Sequence, residues 1–183
     1  MSKYIINVSF QTRVNKTTRT LEIAESFGLG LDEKEWTLYD NLELEVKQGD
    51  VVYITGQSGS GKSVVLRELQ HQMKDEGLSV ASIDDFTFDN EVNVIDQLGK
   101  TTSDALGLLS MAGLNDAYLF VRKPSEMSDG QKYRLKIAKL IESGAKVWAA
   151  DEFGAVLDRV TAQVVASNLQ RAARKVGATV MVA

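Results

Sequence analysis

The run Val51–Arg67, VVYITGQSGSGKSVVLR, constrains this chain more than any other stretch. Val51 to Ile54 are apolar and read as a short strand. Gly56, Gln57, Ser58, Gly59, Ser60 and Gly61 make a glycine-rich turn, and Lys62 and Ser63 open a helix whose apolar residues Val65, Leu69 and Met73 recur at helical spacing. The glycines let the backbone curl so that successive N–H groups face inward, and the helix start adds unpaired donors and the positive end of its dipole. Such a nest suits a polyphosphate. Lys62 is placed to reach the β- and γ-phosphates, and the Ser63 hydroxyl to hold Mg²⁺, which favours hard oxygen ligands. An ordinary Gly/Ser turn would leave the complete G-x-x-x-x-G-K-S spacing between strand and helix unexplained.

A chain of 183 residues, 44% hydrophobic and 25% charged, is expected to form one domain with a full core. Without cysteine, neither a disulfide framework nor a thiolate metal site is available. No apolar run approaches the roughly 18 residues of a membrane span. The start, MSKYIINVSF, lacks the apolar core and cleavage site of a signal peptide, which predicts a cytoplasmic protein with no direct membrane insertion. A net charge of −4 argues against a globally basic nucleic-acid binder. The local cluster Arg122, Lys123, Lys132, Arg134, Lys136 and Lys139 keeps a role on DNA or RNA open, with a solvated helix face as the plainer reading.

Along the chain, Tyr4–Val14 and Thr20–Ala24 are β-rich and Asn41–Lys47 alternates polar and apolar, predicting an antiparallel β layer over about residues 1–50. Leu78–Ile83 reads as a second buried strand ending in Asp84 and Asp85. Residues 86–127 read as a short helical insertion, with a turn at Val94–Leu98 and a helix over Asp104–Met111 capped by Ser103 and ended by Gly113. Ser128 and Gln131 form a capping box for a helix with Tyr133, Ile137 and Ile141 on its apolar face and Gly144 at its end. Val147–Ala150 is a third strand, Arg159–Val176 a helix with Val160, Val164 and Leu169 inward, and Thr179–Val182 a last strand. The expected fold is α/β in three layers, with a mainly parallel central sheet.

The strand VWAADE ends in two acids, which packing alone does not require. Asp151 is placed to share a metal with Ser63, and Glu152 to orient or deprotonate an attacking water. An acid after an apolar strand is often only a turn, and S-x-x-Q often only begins a helix. In combination they carry more. Met127–Gln131, MSDGQ, resembles the LSGGQ signature of ATP-binding cassette (ABC) ATPases, and the phosphate loop, the acidic strand and Val156-Leu157-Asp158, similar to that family's D-loop, fall in the family's order. The resemblance covers nearly the whole chain.

It implies a P-loop NTPase fold of ABC type, ATP and Mg²⁺ as cofactors, Gly56 to Ser63 as the nucleotide-binding loop, Lys62 and Glu152 as catalytic residues, and Ser63 and Asp151 as metal ligands. It also implies a head-to-tail homodimer. Each ATP is then enclosed by Ser128, Gly130 and Gln131 of a second copy, with Asp158 at the seam, until hydrolysis to ADP and phosphate releases the pair. Within the group, SEMSDGQKYR resembles soluble ABC-type ATPases joined to a predicted acetyltransferase domain, carried by Tyr39–Ser63, Ser125–Leu135 and Asp151–Thr161. The short insertion argues against docking to a membrane subunit.

The sequence departs from the family pattern in three places and leaves a choice of residue at a fourth. Asp129 replaces the first signature glycine, either weakening ATP-driven closure or serving as a helix N-terminal acid that faces away. Where a Q-loop glutamine belongs, the chain reads Ser82 to Phe86; Asp84 or Asp85 takes that role, Gln97 being too far along. Phe27 is the expected adenine stacker, with Trp36 and Tyr39 as rivals. The family's switch histidine follows the final strand, whereas the only histidine here is His71, behind the phosphate loop. This predicts a chain cut short before that histidine that binds Mg·ATP but hydrolyses it weakly. The competing expectation is a nucleotide-sensing or assembly module without meaningful catalysis.

Overall fold

The computed structural model describes residues 2–155 and 157–183, which divide into two compact units, one of residues 3–45 and one made mainly of residues 46–183. In the smaller unit, β1 (Ser2–Thr12) pairs with β2 (Lys34–Val46). The contacts Lys3–Glu43, Ser9–Thr37 and Thr12–Lys34 run in opposite senses along the two strands, so the pair is antiparallel. Tyr4 and Ile6 are buried while Lys3 and Ile5 face out, the period-two pattern of a half-buried strand.

Between these strands lies α1 (Thr18–Phe27), so Thr20–Ala24, expected to be strand, is helix. Thr17 and Thr20 form a reciprocal capping box, with Thr17 N donating to Thr20 Oγ1 at 2.8 Å, and Gly28 closes the helix in the left-handed conformation (φ 64°). Caps at both ends outweigh the β preference of single residues.

The larger unit is built on a parallel four-stranded sheet in the order β3 (Val51–Tyr53), β6 (Thr179–Val182), β5 (Val147–Ala150), β4 (Val80–Ser82). Every residue of β5 and β6 is buried, the near-continuous apolar run of central parallel strands. The second strand is shorter than Leu78–Ile83. Ser82 Oγ accepts from Asp84 N, and the backbone turns into a 3-10 helix over Ile83–Asp85.

Helix α2 (Lys62–Asp75) buries Val65, Leu66, Leu69 and Met73. The stretch 86–127 carries 3-10 turns at Val94–Gln97 and Pro124–Glu126, with α3 (Thr102–Met111) and α4 (Ala117–Phe120) between them. The cap of α3 is Thr101, not Ser103, because only Thr101 closes a reciprocal box with Asp104, and the helix therefore starts earlier than expected. Leu98, Leu109 and Leu114 from this stretch join Ile83, Leu135, Trp148 and Val165 in one core cluster. The remaining helices are α5 (Asp129–Ser143) and α6 (Arg159–Val176). Among the described residues no helix is long and apolar enough to cross a membrane.

The inward face of α6 differs from expectation. Leu169 is buried, but Val160 and Val164 are exposed, and the buried stripe runs through Val165, Asn168, Leu169, Ala172 and Ala173. Two small alanines allow the helix to approach its neighbours closely, and they, not the bulkier valines, set its rotation. This phase is testable by urea denaturation. Val165→Ala should cost about 2 kcal/mol through lost burial and the cavity left behind, whereas Val164→Ala should be neutral or stabilise by a few tenths, about the difference in helix propensity.

Candidate functional site

The carboxyl ends of the parallel strands share one edge of the sheet, where ligands bind in open α/β folds. After β3 the loop curls through Gly59 (φ 77°) and Gly61 (φ 84°) into α2. Gly61 is the N-cap and brings no side chain to bond the first turn, so Val64 N and Val65 N both close on its carbonyl at 3.0 Å. A Cβ on Gly56 would stand 2.6 Å from Ser60 Oγ, so a side chain there would force Ser60 to turn away. Lys62 Nζ folds back to donate to the Gln57 carbonyl at 2.9 Å, so the cation already lies within the loop. Ser63 Oγ donates to Asp151 Oδ1 at 2.9 Å and thereby ties the loop to the end of β5.

Around Asp151 the carboxylate set is ordered. Glu152 N donates to Asp151 Oδ1 at 3.0 Å, and Asp151 N donates to Asp84 Oδ2 at 3.2 Å. Of the two candidates Asp84 and Asp85, the contact with Asp151 belongs to Asp84. Glu152 adopts φ 48°, a left-handed conformation that costs a non-glycine residue about 1 kcal/mol. The strain is held by the flanking strand ends, since Phe153 N donates to Ala183 O at 2.9 Å. For Mg²⁺ the fit is good. A hydroxyl and a carboxylate oxygen stand together, and among the described residues no group of three His, Cys, Asp or Glu could enclose an ion. That is the sparse, hard-oxygen set of a cation that completes its shell with phosphate and water.

The signature-like stretch is first of all a helix start. Ser128 N donates to Gln131 Oε1 at 2.9 Å and Gln131 N to Ser128 Oγ at 3.4 Å. Gly130 is buried, and a Cβ there would lie 2.5 Å from Thr161 Cγ2 of α6, so its lack of a side chain is demanded by packing. Arg134 donates from Nε to Gly130 O and from Nη1 to Gly113 O, both at 3.2 Å. In the sequence Arg134 stands out only as part of the basic cluster, and its i+4 spacing from Gly130 is the one local signal of this role.

Asp158 caps α6, its Oδ1 accepting from Val160 N and Thr161 N at 3.0 Å; the Thr161 hydroxyl and N–H hold its carboxyl below the usual range. Val156, part of the D-loop-like run, lies outside the described residues.

Tyr133 meets Phe153 edge to face at 5.4 Å, and its hydroxyl is buried with no hydrogen-bond partner among the described residues. Burial first, then the Asp84 charge, hold the phenol well above its ordinary pKa, with the Gly154 backbone pulling the other way. Asp129 is exposed in the first turn of α5.

Phe27, at the end of α1, is 73% exposed, Trp36 has Phe10 as a ring neighbour at 5.5 Å, and Tyr39 is half-buried on β2; all three belong to the unit of residues 3–45. His71 is exposed on α2. The basic cluster is not a bare stripe, because Lys123 pairs with Glu91, Lys139 with Glu142, and Arg134 turns to backbone carbonyls.

Removing the unpaired Tyr133 hydroxyl should not destabilise the fold. Tyr133→Phe is expected to raise stability by about 1 kcal/mol at pH 7. Because the folded pKa lies above the ordinary 10.0, the unfolded chain ionises first, so this group leaves stability level below about pH 10 and lowers it as pH rises from there towards the folded value. Urea titrations from pH 7 to pH 11 should therefore show a shallower alkaline decline in Tyr133→Phe than in the parent.

A family model described as ABC transporter matches residues 39–155. Among curated relatives, the methionine import ATP-binding protein MetN of Pasteurella multocida (strain Pm70) is 26% identical over 81% of this chain and 52% of its own length. MetN 1 of Burkholderia orbicola (strain AU 1054) is 29% identical over 77% of this chain and 50% of its own. The chain thus spans about half the length of the curated relatives it matches. Among solved structures, the ATP-binding cassette MJ0796, a dimer in a post-hydrolysis state bound to ADP and Pi, superposes with a TM-score of 0.65 at 19% identity, covering 99% of this chain and 87% of that one. CbiO1 from Clostridium perfringens, part of the ABC transporter complex cbiONQ, gives 0.63 at 18% identity over 80% of this chain and 71% of that one. These two likenesses establish the fold. The family match runs over more than half of the chain and takes in the phosphate loop, the Ser128 helix start and the acidic strand, so the chain belongs to the ABC transporter family as an ATP-binding domain.

Proposed function

We propose that this chain binds Mg·ATP in the loop Gly56–Ser63 and hydrolyses it to ADP and phosphate as one half of a head-to-tail homodimer. The observation that carries this reading is the 2.9 Å bond from Ser63 to Asp151, which brings two hard oxygens together at the mouth of a nest of backbone donors. Loop N–H groups and the start of α2 hold phosphate oxygens, and Lys62 exchanges the Gln57 carbonyl for the β- and γ-phosphates. Ser63 and Asp151 hold the ion, which when bound offsets charge on the transferring phosphoryl group. Glu152 orients the attacking water and draws off its proton.

A second copy closes the site with Ser128, Gly130 and Gln131, presenting the positive end of α5, and with Asp158 at the seam. The Asp129 carboxylate in that first turn weakens the closure. Turnover is accordingly slow. Residues 1–183 act as one nucleotide-binding domain in the cytoplasm, with a β layer over about 1–50 and an insertion over about 86–127.

The relatives' role in methionine import comes with half of their length unmatched and does not set this chain's cargo. The tie to an acetyltransferase rests only on the sequence resemblance of Tyr39–Ser63, Ser125–Leu135 and Asp151–Thr161, and none of the relatives named above carries it. A second reading, a nucleotide-binding assembly module without turnover, is favoured by the commitment of Ser128 and Gln131 to each other.

Calorimetry with Mg·ATP should show binding that Lys62→Ala abolishes; no heat from the parent chain would end the nucleotide reading. Glu152→Gln should keep that heat, form a dimer on gel filtration with ATP, and lower phosphate release about 100-fold or more. Release unchanged by Glu152→Gln would remove Glu152 from the chemistry, and release at background in the parent would favour the assembly module.

A further inference from the structure

A cavity of about 460 Å³ opens between the end of α3, α5 and α6, and none of residues 56–63, Asp151 or Glu152 lines it. Helix α6 contributes Val164, Asn168, Arg171 and Lys175, whose spacing places them on one stripe, and α5 contributes Arg134. Three cations thus face one space with no carboxylate in its wall. Among the described residues none of the three is in an ion pair, the four pairs there joining other side chains.

The cations are aimed. Asn168, 6% exposed and one of two buried polar residues among those described, accepts a short hydrogen bond through Oδ1 from Arg171 Nη2, while Arg134 is fixed by the carbonyls of Gly130 and Gly113. A plainer role as helix-end caps accounts for Arg134 at the turn after α3 and Lys175 in the last turn of α6. It does not account for a buried amide that holds a guanidinium towards an open cavity. Like charges held together repel each other, and an anion between them relieves the repulsion while accepting forked guanidinium bonds. Met111, Val164 and Ala172 supply the apolar part of the lining.

We propose that this cavity is a binding site for a small organic anion, phosphate or carboxylate, separate from the phosphate loop. Its charged end meets Arg171 and Lys175. Because Arg134 also holds the Gly130 carbonyl, occupancy steadies the start of α5, which makes the site regulatory for whatever Ser128 engages.

The test uses the full chain carrying Lys62→Ala, which silences the phosphate loop, titrated calorimetrically at constant ionic strength with pyrophosphate and, separately, with citrate. At least one should bind one to one, which of them showing whether phosphate or carboxylate is preferred. Arg171→Gln and Lys175→Gln, both at exposed positions, should each weaken that binding about tenfold. Amide hydrogen exchange over residues 128–134 should slow on saturation. No heat from either anion, heat reproduced by sodium chloride, or affinity untouched by both substitutions would overturn the site; exchange unchanged at saturation would overturn its regulatory role. Since Lys62 is already replaced, a failure of the nucleotide reading leaves this result intact, and the converse holds.

Discussion

The hydrogen bond between Ser63 and Asp151 joins residues 88 positions apart, and the sheet is ordered so that it can form. In the order β3-β6-β5, the loop-bearing strand and the acid-bearing strand are separated by β6, a gap of roughly 10 Å at ordinary strand spacing. The start of α2 crosses that gap. The end of β6 secures both sides, with Ile54 N donating to Val182 O, Ala183 N to Ala150 O and Phe153 N to Ala183 O. The left-handed Glu152 is therefore framed by backbone bonds on either side, the condition under which local strain persists. Asp84 adds the third strand end, fixing the Asp151 backbone from β4.

What was legible in the sequence is what local chemistry dictates. The phosphate loop carries its own turn residues and its own helix start, and the strand Val147–Ala150 its own apolar run, so neither depends on distant neighbours. The capping box at Ser128 was visible for the same reason. What was missed was decided by competition or by tertiary contact. Thr20–Ala24 looked like strand until two caps claimed it for α1. The rotation of α6 followed from alanines whose small size matters only beside a packed neighbour, a fact absent from any single-residue preference. The contact of Asp84 with Asp151 spans 67 positions and had no local signal to separate it from Asp85. The choice of Phe27 as adenine stacker rests on the need for an aromatic alone, and nothing local distinguishes it from Trp36.

The Ser128 stretch shows one sequence serving two demands. A helix start that must offer donors outward is most available when its own side chains do not occupy them, yet Ser128 and Gln131 are bonded to each other and Asp129 adds negative charge where the dipole is positive. The same side chains that make α5 begin well make its end less hungry for an anion. Gly130 is bound by a different constraint, the passage of Thr161.

That passage has a mechanical consequence. With no side chain on Gly130 to act as a spacer, the opening turns of α5 and α6, which begin at Ser128 and Asp158, sit so close that even one added methyl would force Thr161 to turn away.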